Sequence, residues 1–184
     1  MSTIVLLSGG LDSAVVLAER VANGDECLAI GFDYDQPHAI ELKYAALIAE
    51  HYNVPFERIS LPAMLSAKVD DVVFAGRNMV FAATAIAMAQ ARQYDRVAFG
   101  CNASDSDRFP DCRPEFWKGV KQCAKASGVS VSTPLLFLTK REVVKIARDL
   151  EVPIERTWSC YSPEQEYQPC GKCLACTTRA EALR

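Results

Sequence analysis

Apolar positions along the first 150 residues fall into two alternating patterns. Phe56–Leu61 reads as a further strand and Val129–Leu135 as a last extended segment, while Thr3–Leu7 (TIVLL), Cys27–Phe32 (CLAIGF) and Arg96–Cys101 (RVAFGC) are short, nearly unbroken apolar runs. Such runs read as strands buried on both faces. The stretches between them have helical spacing. From Asp12 to Val21 the residues Ala14, Val15, Leu17, Ala18 and Val21 recur on one helical side, and Asn23-Gly24 ends that helix. Ala39–Tyr52 reads as a second amphipathic helix. Asn78–Gln93 reads as an alanine-rich third, with Val80, Ala83, Thr84 and Ala87 sharing a face, and Glu115–Lys125 as a fourth. Thr139 followed three residues later by Glu142 has capping-box form and opens a helix to Leu150, with Pro153 beyond its end. Strands alternating with helices predict an α/β fold: a doubly wound, mostly parallel sheet covered on both faces.

Ser8-Gly9-Gly10-Leu11-Asp12-Ser13 joins the first strand to the first helix. Two glycines permit a tight turn with uncovered N–H groups, and the helix start adds a positive dipole end, so phosphate is the natural guest. Ser8 and Ser13 offer hydroxyl donors. Asp12 would repel phosphate directly and so points to a bridging Mg²⁺, although Asp is also a favoured N-cap residue. The turn lacks the Gly-Lys-[Ser/Thr] of a Walker loop and the GxGxxG of a dinucleotide fold.

Composition narrows the class. With 50% hydrophobic and 23% charged residues in 184 positions, the chain is a globule with a real core, neither disordered nor collagen-like. No run approaches the ~18 apolar residues of a membrane span, and the N-terminal residues enter a strand without a leader-like segment, so a cytoplasmic protein is expected. The net charge of −3 opposes nucleic-acid binding. Residues 1–75 carry 4 Lys and Arg against 11 Asp and Glu, and residues 76–184 carry 16 against 12, so an anionic ligand is better received by the second part.

Eight cysteines in such a chain point to metal or buried thiols rather than disulfides. Cys160, Cys170, Cys173 and Cys176 cluster near the end. Their spacing lets four thiolates wrap one ion, a closed structural zinc site, with an iron–sulfur cluster as the other metal reading. The expected organisation is an α/β domain over residues 1–157 and a loop-rich four-cysteine module over residues 158–184.

SGGLDS resembles the pyrophosphate loop of the N-type ATP pyrophosphatases, which adenylate an oxygen and release pyrophosphate. Further segments resemble one branch of them, the 7-cyano-7-deazaguanine synthase family: LLSGGLDS at Leu6–Ser13, GFDY at Gly31–Tyr34, GRN at Gly76–Asn78, FPDCRPEF at Phe109–Phe116, TPLLFLTK at Thr133–Lys140, TWSCY at Thr157–Tyr161 and PCGKCLACTTRAEAL at Pro169–Leu183. The resemblance implies that ATP is held by Leu7, Ser8, Gly9, Gly10, Leu11, Asp12 and Ser13 with Phe32 and Tyr34. It implies chemistry at Asp12, Arg77 and Lys140, with the deazaguanine acid at Arg77, Asn78, Asp111, Arg113 and Glu115. From residue chemistry alone, Asp111–Glu115 serves equally as a helix entry, with Pro114 opening a helix and Glu115 in its first turn. Phe32 and Tyr34 serve equally as core, and Lys140 as a solvated first-turn lysine. His38 and His51 receive no role.

The implied ligands are one structural zinc per chain, Mg²⁺ with ATP, free ammonia and 7-carboxy-7-deazaguanine, in a homodimer that meets neither membrane nor nucleic acid. A thiolase of the same superfamily would need a reactive cysteine pair near the ATP loop, and none is evident. The remaining alternatives are a variant stopping at the amide and a nucleotide-binding module without turnover. Relatives usually read DYGQRH where Asp33–His38 here reads DYDQPH, which places Asp35 and Pro37 at the ATP side. Leu174 stands where Asp is usual, and the segments Leu61–Phe74 and that before Thr133 are shorter than the family norm.

Overall fold

The computed structural model describes residues 1–61, 76–107, 109–164 and 168–184. The shortened segment expected at 61–74 therefore lies almost wholly outside the described residues. The strands are β1 (Ser2–Leu6), β2 (Glu26–Asp33), β3 (Phe56–Ser60), β4 (Arg96–Ala98) and β5 (Ser130–Ser132). The helices are α1 (Leu11–Ala22), α2 (Glu41–His51), α3 (Arg77–Arg92), α4 (Pro114–Ala126), α5 (Lys140–Asp149) and α6 (Leu174–Leu183). The five strands form one parallel sheet in the order β3-β2-β1-β4-β5. The chain winds outward one way from β1 to β3 and the other way from β4 to β5. The β1 and β4 ends thus diverge at a topological switch point, where this architecture leaves a crevice.

Alternation along each strand divides the core. Val5, Ala29 and Ala98 pack against α1, α2, α5 and α6, while Ile4, Leu28, Ile30 and Val97 pack against α3 and α4. Ile4, Val5 and Leu17 are wholly buried, each removing apolar area worth roughly 1.5–3 kcal/mol. Helix ends follow local chemistry. Asn23 closes α1 and Gly24 turns at φ +74°. Thr139 and Glu142 form the full capping box of α5. Pro114 occupies the first turn of α4.

Three local expectations change. The extended segment from Val129 ends at Ser132, and residues 134–137 are turns. In α3 the buried residues are Phe81, Ala82, Ala85 and Ala89, whereas Ala83 and Ala87 are exposed; with alanine on every side, the single Phe81 sets the rotation of the helix. The cysteine tail is less loop-like than expected, because its last third is α6. Helix α6 packs on α5 and sends Ala182 into the core beside Val143 and Ala147.

Candidate active site

The crevice at the switch point is a cavity of about 350 Å³. It is lined by the β1–α1 loop, the ends of β2 and β4, the first turns of α2, α3 and α5, and the C-terminal segment. The volume falls in the small-molecule range of about 300–1,000 Å³.

The loop is held open by its neighbours. Gly9 has φ +86°, and a Cβ there would stand 2.1 Å from the Glu41 carbonyl oxygen. Only glycine permits both the left-handed turn and the approach of α2. The Gly9 carbonyl accepts from the Trp158 N–H at 2.8 Å, which ties the loop to the C-terminal segment. On the other side a Cβ on Gly100 would meet the Ser13 nitrogen at 2.8 Å, so the β4 end presses directly on the start of α1. Within the loop, Ser13 Oγ donates to the Gly10 carbonyl at 2.9 Å and accepts from the Ser8 N–H at 3.2 Å.

Asp12 is not a cap. Gly10 holds the N-cap position without a side-chain bond, and Asp12 lies within the first turn of α1. Its Oδ2 pairs with Lys140 Nζ at 2.6 Å and accepts from Asn102 Nδ2 at 3.2 Å. Asn102 Nδ2 also donates to Asp105 at 2.8 Å, so one amide bridges two carboxylates. Burial, and then the Asp12 charge, raise the Asp105 carboxyl above its ordinary range. The other Asp12 oxygen, Oδ1, is buried without a hydrogen-bond partner among the described residues. Two adjacent carboxylates with an orphaned oxygen, beside a phosphate-type loop, fit a hard cation such as Mg²⁺.

Arg77 opens α3 after Gly76, whose φ is +75°. Its guanidinium donates to the Tyr34 hydroxyl at 3.1 Å. Burial opposes its charge and Tyr34, Tyr161 and Glu41 favour it, with the net effect of raising a guanidinium that is protonated in any case. Phe32 and Tyr34 line the cavity yet are also core residues, Phe32 stacking on Phe81 at 4.6 Å. Both readings of this pair thus hold together. Asn78 lines the cavity and is fixed by Asp111, which accepts from the Asn78 N–H at 3.0 Å and whose carbonyl accepts from Nδ2 at 3.2 Å. Asp111 is buried and organises the start of α3 from outside the cavity wall. Arg113, donating to the Ser106 carbonyl, and Glu115, in the first turn of α4, are exposed and do not line the cavity. Gly9 lies behind the loop.

The cysteine expectation converges. The Sγ atoms of Cys160, Cys170, Cys173 and Cys176 lie within 4.8 Å of one another, and Cys160 and Cys170 are 3.6 Å apart. Metal–sulfur bonds of about 2.3 Å in a tetrahedron place sulfurs about 3.8 Å apart. The four thiols therefore fit one metal ion and no disulfide. Backbone N–H groups of Lys172 and Cys173 pull the Cys170 thiol down to about 6, the thiolate a metal needs. Leu174, Ala175 and Thr178 of α6 and Ser159 and Tyr161 beside the cysteines line the cavity, so this module is one of its walls.

Several site residues carry no sequence signal of their own. Asn102, Asp105 and Glu41 sit at ordinary spacings and are brought to the site only through the sheet, and Tyr161, though inside the TWSCY segment, has no role assigned from sequence. Cys101 and Cys112 are also brought together, as a hydrogen-bonded pair in the cavity. The bond to Cys112 and burial raise the Cys101 thiol well above its ordinary value, which leaves it a poor nucleophile.

The chain matches the family model described as "Queuosine biosynthesis protein QueC" over residues 2–69 and 63–184. It is 34% identical over 212 residues to a 7-cyano-7-deazaguanine synthase of Prochlorococcus marinus (strain NATL2A), covering 100% of this chain and 93% of that one. A protein of the same name from Trichodesmium erythraeum is 35% identical over 215 residues, covering 100% and 96%. These alignments are longer than 184 residues, so the relatives carry extra residues, in line with the compact loops expected. Among solved structures, the U34-tRNA thiolase NcsA of Methanococcus maripaludis aligns with TM-score 0.62 at 18% identity, covering 100% of this chain and 64% of that one. The ammonia-dependent NAD synthetase of Campylobacter jejuni aligns with TM-score 0.59 at 17% identity, covering 84% and 67%. These last two likenesses show the fold. Taken with the loop at the switch point and the four gathered thiols, the full-length match assigns the chain to the 7-cyano-7-deazaguanine synthase (QueC) family of ATP-dependent ligases.

Proposed function

We propose that the chain converts 7-carboxy-7-deazaguanine and ammonia to 7-cyano-7-deazaguanine through two adenylations. The observation that carries this reading is the Asp12–Lys140–Asn102–Asp105 group beside the Ser8–Ser13 loop, with the Arg77 cation in the same cavity. A carboxylate oxygen is a poor leaving group at neutral pH; transfer to the α-phosphorus of ATP makes it a good one. The loop N–H groups and Lys140 grip the β- and γ-phosphates as the leaving group, by positioning and charge neutralisation. Asp12 and Asp105 would hold Mg²⁺, which neutralises phosphate charge when bound. Phe32 and Tyr34 receive the adenine. Arg77 and Asn78 receive the substrate acid, with Asp111 holding Asn78; roles for Arg113 and Glu115 require substrate-bound movement of the segment that carries them. Ammonia displaces AMP to give the amide. Adenylation of the amide oxygen and loss of AMP then give the nitrile.

The cysteine site is assigned to zinc. Four sulfurs close around one point supply a complete tetrahedral shell. Thiolates of an iron–sulfur cluster bind different irons and stand farther apart. The chain is further proposed to work as a cytoplasmic homodimer without nucleic acid, which light scattering and a tRNA-binding assay would check.

Product analysis tests the reaction. AMP and pyrophosphate should form, two of each per nitrile, with the amide appearing early and consumed when supplied with ATP alone. ADP and phosphate as primary products would overturn adenylation. Amide accumulating after one AMP would make the chain an amide synthetase. Sulfur transfer to RNA, the activity that the Cys101–Cys112 pair would have to support, should be absent.

A further inference from the structure

An enzyme that joins a carboxylate to ammonia near pH 7 meets its nitrogen almost entirely as ammonium, so it gains from accepting an anion and a cation side by side. Arg77, in the first turn of α3, supplies a fixed positive charge. The acidic groups lining the same cavity are Asp12, Asp105 and Glu41. Asp12 is paired with Lys140, and Asp12 and Asp105 share Asn102. Glu41, the first residue of α2, makes no ion pair with a Lys or Arg among the described residues: its Oε1 accepts from the Gln36 amide at 3.2 Å. His38 Nε2 is 3.7 Å from the same oxygen, but His38 is 1% exposed and burial, then Arg77, push it down to about 4, so it is neutral. The groups facing Glu41 are thus Gln36 and His38 from the preceding loop, Tyr34 after β2, Arg77 from α3 and Tyr161 from the C-terminal segment.

We propose that Glu41 is the ammonium site and the base that frees its nitrogen for attack. The inference rests on the adenylation reading above. Ammonium donates to the Glu41 carboxylate and passes it one proton. The freed lone pair forms the carbon–nitrogen bond at the adenylated carboxyl carbon, the bond from that carbon to the phosphate-bound oxygen breaks, and AMP leaves with its electron pair. The second proton lost by the nitrogen goes to water. Burial pushes the Glu41 carboxyl up to about 7, against the pull of Arg77 and Gln36, which suits a base working near neutral pH. Glu41 and Arg77 line the same cavity, which brings the nucleophile to the carboxyl group that Arg77 holds.

The test separates three reactions of the full chain: pyrophosphate release from the acid and ATP without ammonium, amide formation from acid, ATP and ammonium, and conversion of supplied amide to nitrile with ATP alone. Glu41→Gln keeps the shape and removes the base. It should lower amide formation about a hundredfold or more, while keeping pyrophosphate release and the amide-to-nitrile step near wild type. Hydroxylamine, neutral at pH 7, should restore capture of the activated acid by the variant. Glu41→Asp, measured in parallel, should raise the KM for ammonium and leave the amide-to-nitrile kcat in place. Equal loss in all three reactions, unchanged amide formation, or an unchanged ammonium KM in Glu41→Asp would overturn the proposal. Failure of the wild-type chain to release pyrophosphate would instead overturn the adenylation reading.

Discussion

Asp12 shows how one side chain can be isolated from the fold. It lies within the first turn of α1, but the N-cap is Gly10, and the Asp12 carboxylate is spent on Lys140 and Asn102. Asp12→Asn therefore keeps the helix and removes the charge facing the phosphate loop. Turnover should fall by about two orders of magnitude or more, as for loss of a major electrostatic contribution, with the thermal midpoint little changed. Near-normal turnover at limiting Mg²⁺ would remove Asp12 from the chemistry. Glu41 and His38 make a pH prediction. Between about pH 4.5 and 7, folded Glu41 keeps a proton that the unfolded chain has released, so rising pH lowers stability. His38 acts oppositely between about 4 and 6.5, where the unfolded chain binds a proton that the buried ring refuses, so rising pH adds stability. The two largely offset in the native chain. Glu41→Gln removes the first, so its stability relative to wild type should climb from about pH 4.5 to 7, by at most about 1.4 kcal/mol per unit. Denaturant titrations at both ends of that window check the sign.

At the scale of elements, the β1–α1 turn works because α2 can approach it. Gly9 meets two demands at once, a left-handed backbone and a neighbour at closest contact. Gly9→Ala should cost the backbone penalty of about 1–2 kcal/mol for a left-handed residue, and more for the clash with the Glu41 carbonyl. The expected result is a chain of much reduced melting temperature or solubility, and pyrophosphate release lost in whatever folds. A Gly9→Ala chain with native melting and activity would show that the turn tolerates a side chain.

Across the molecule, the four-cysteine cluster and the switch-point cavity are tied together. Trp158 donates to the Gly9 carbonyl, and its ring packs on Tyr44 of α2 at 5.1 Å. Arg179 of α6 bonds Thr157, Ser159 and the Ile154 carbonyl, so the helix carrying Cys176 also braces the segment behind the loop. Stripping the metal should lower the melting temperature and weaken ATP binding together, with about one zinc per chain measured beforehand. Cys173→Ser should reproduce both losses. Metal-free protein with unchanged melting and ATP affinity would make the site independent of both.

The sequence by itself determined the elements whose signals are local. Buried strands announce themselves as apolar runs, α5 by its cap, the tight β1–α1 turn by its glycines, and the four-thiol cluster by cysteines a few residues apart. Each is dictated by backbone sterics or ligand reach within a short segment. Tertiary structure decided what depends on distant pairs. The rotation of α3 hung on Phe81 meeting Phe32 and Tyr34 across the sheet. The partners of Asp12 come from positions 90 and 128 residues away. Glu41 reads as an ordinary helix-opening residue until the sheet, with α2 on one face and α3 on the other, brings it to the same cavity as Arg77 and takes most of its carboxyl out of water. Burial and the opposing charge of Arg77 set its chemistry, and neither exists before the sheet is assembled.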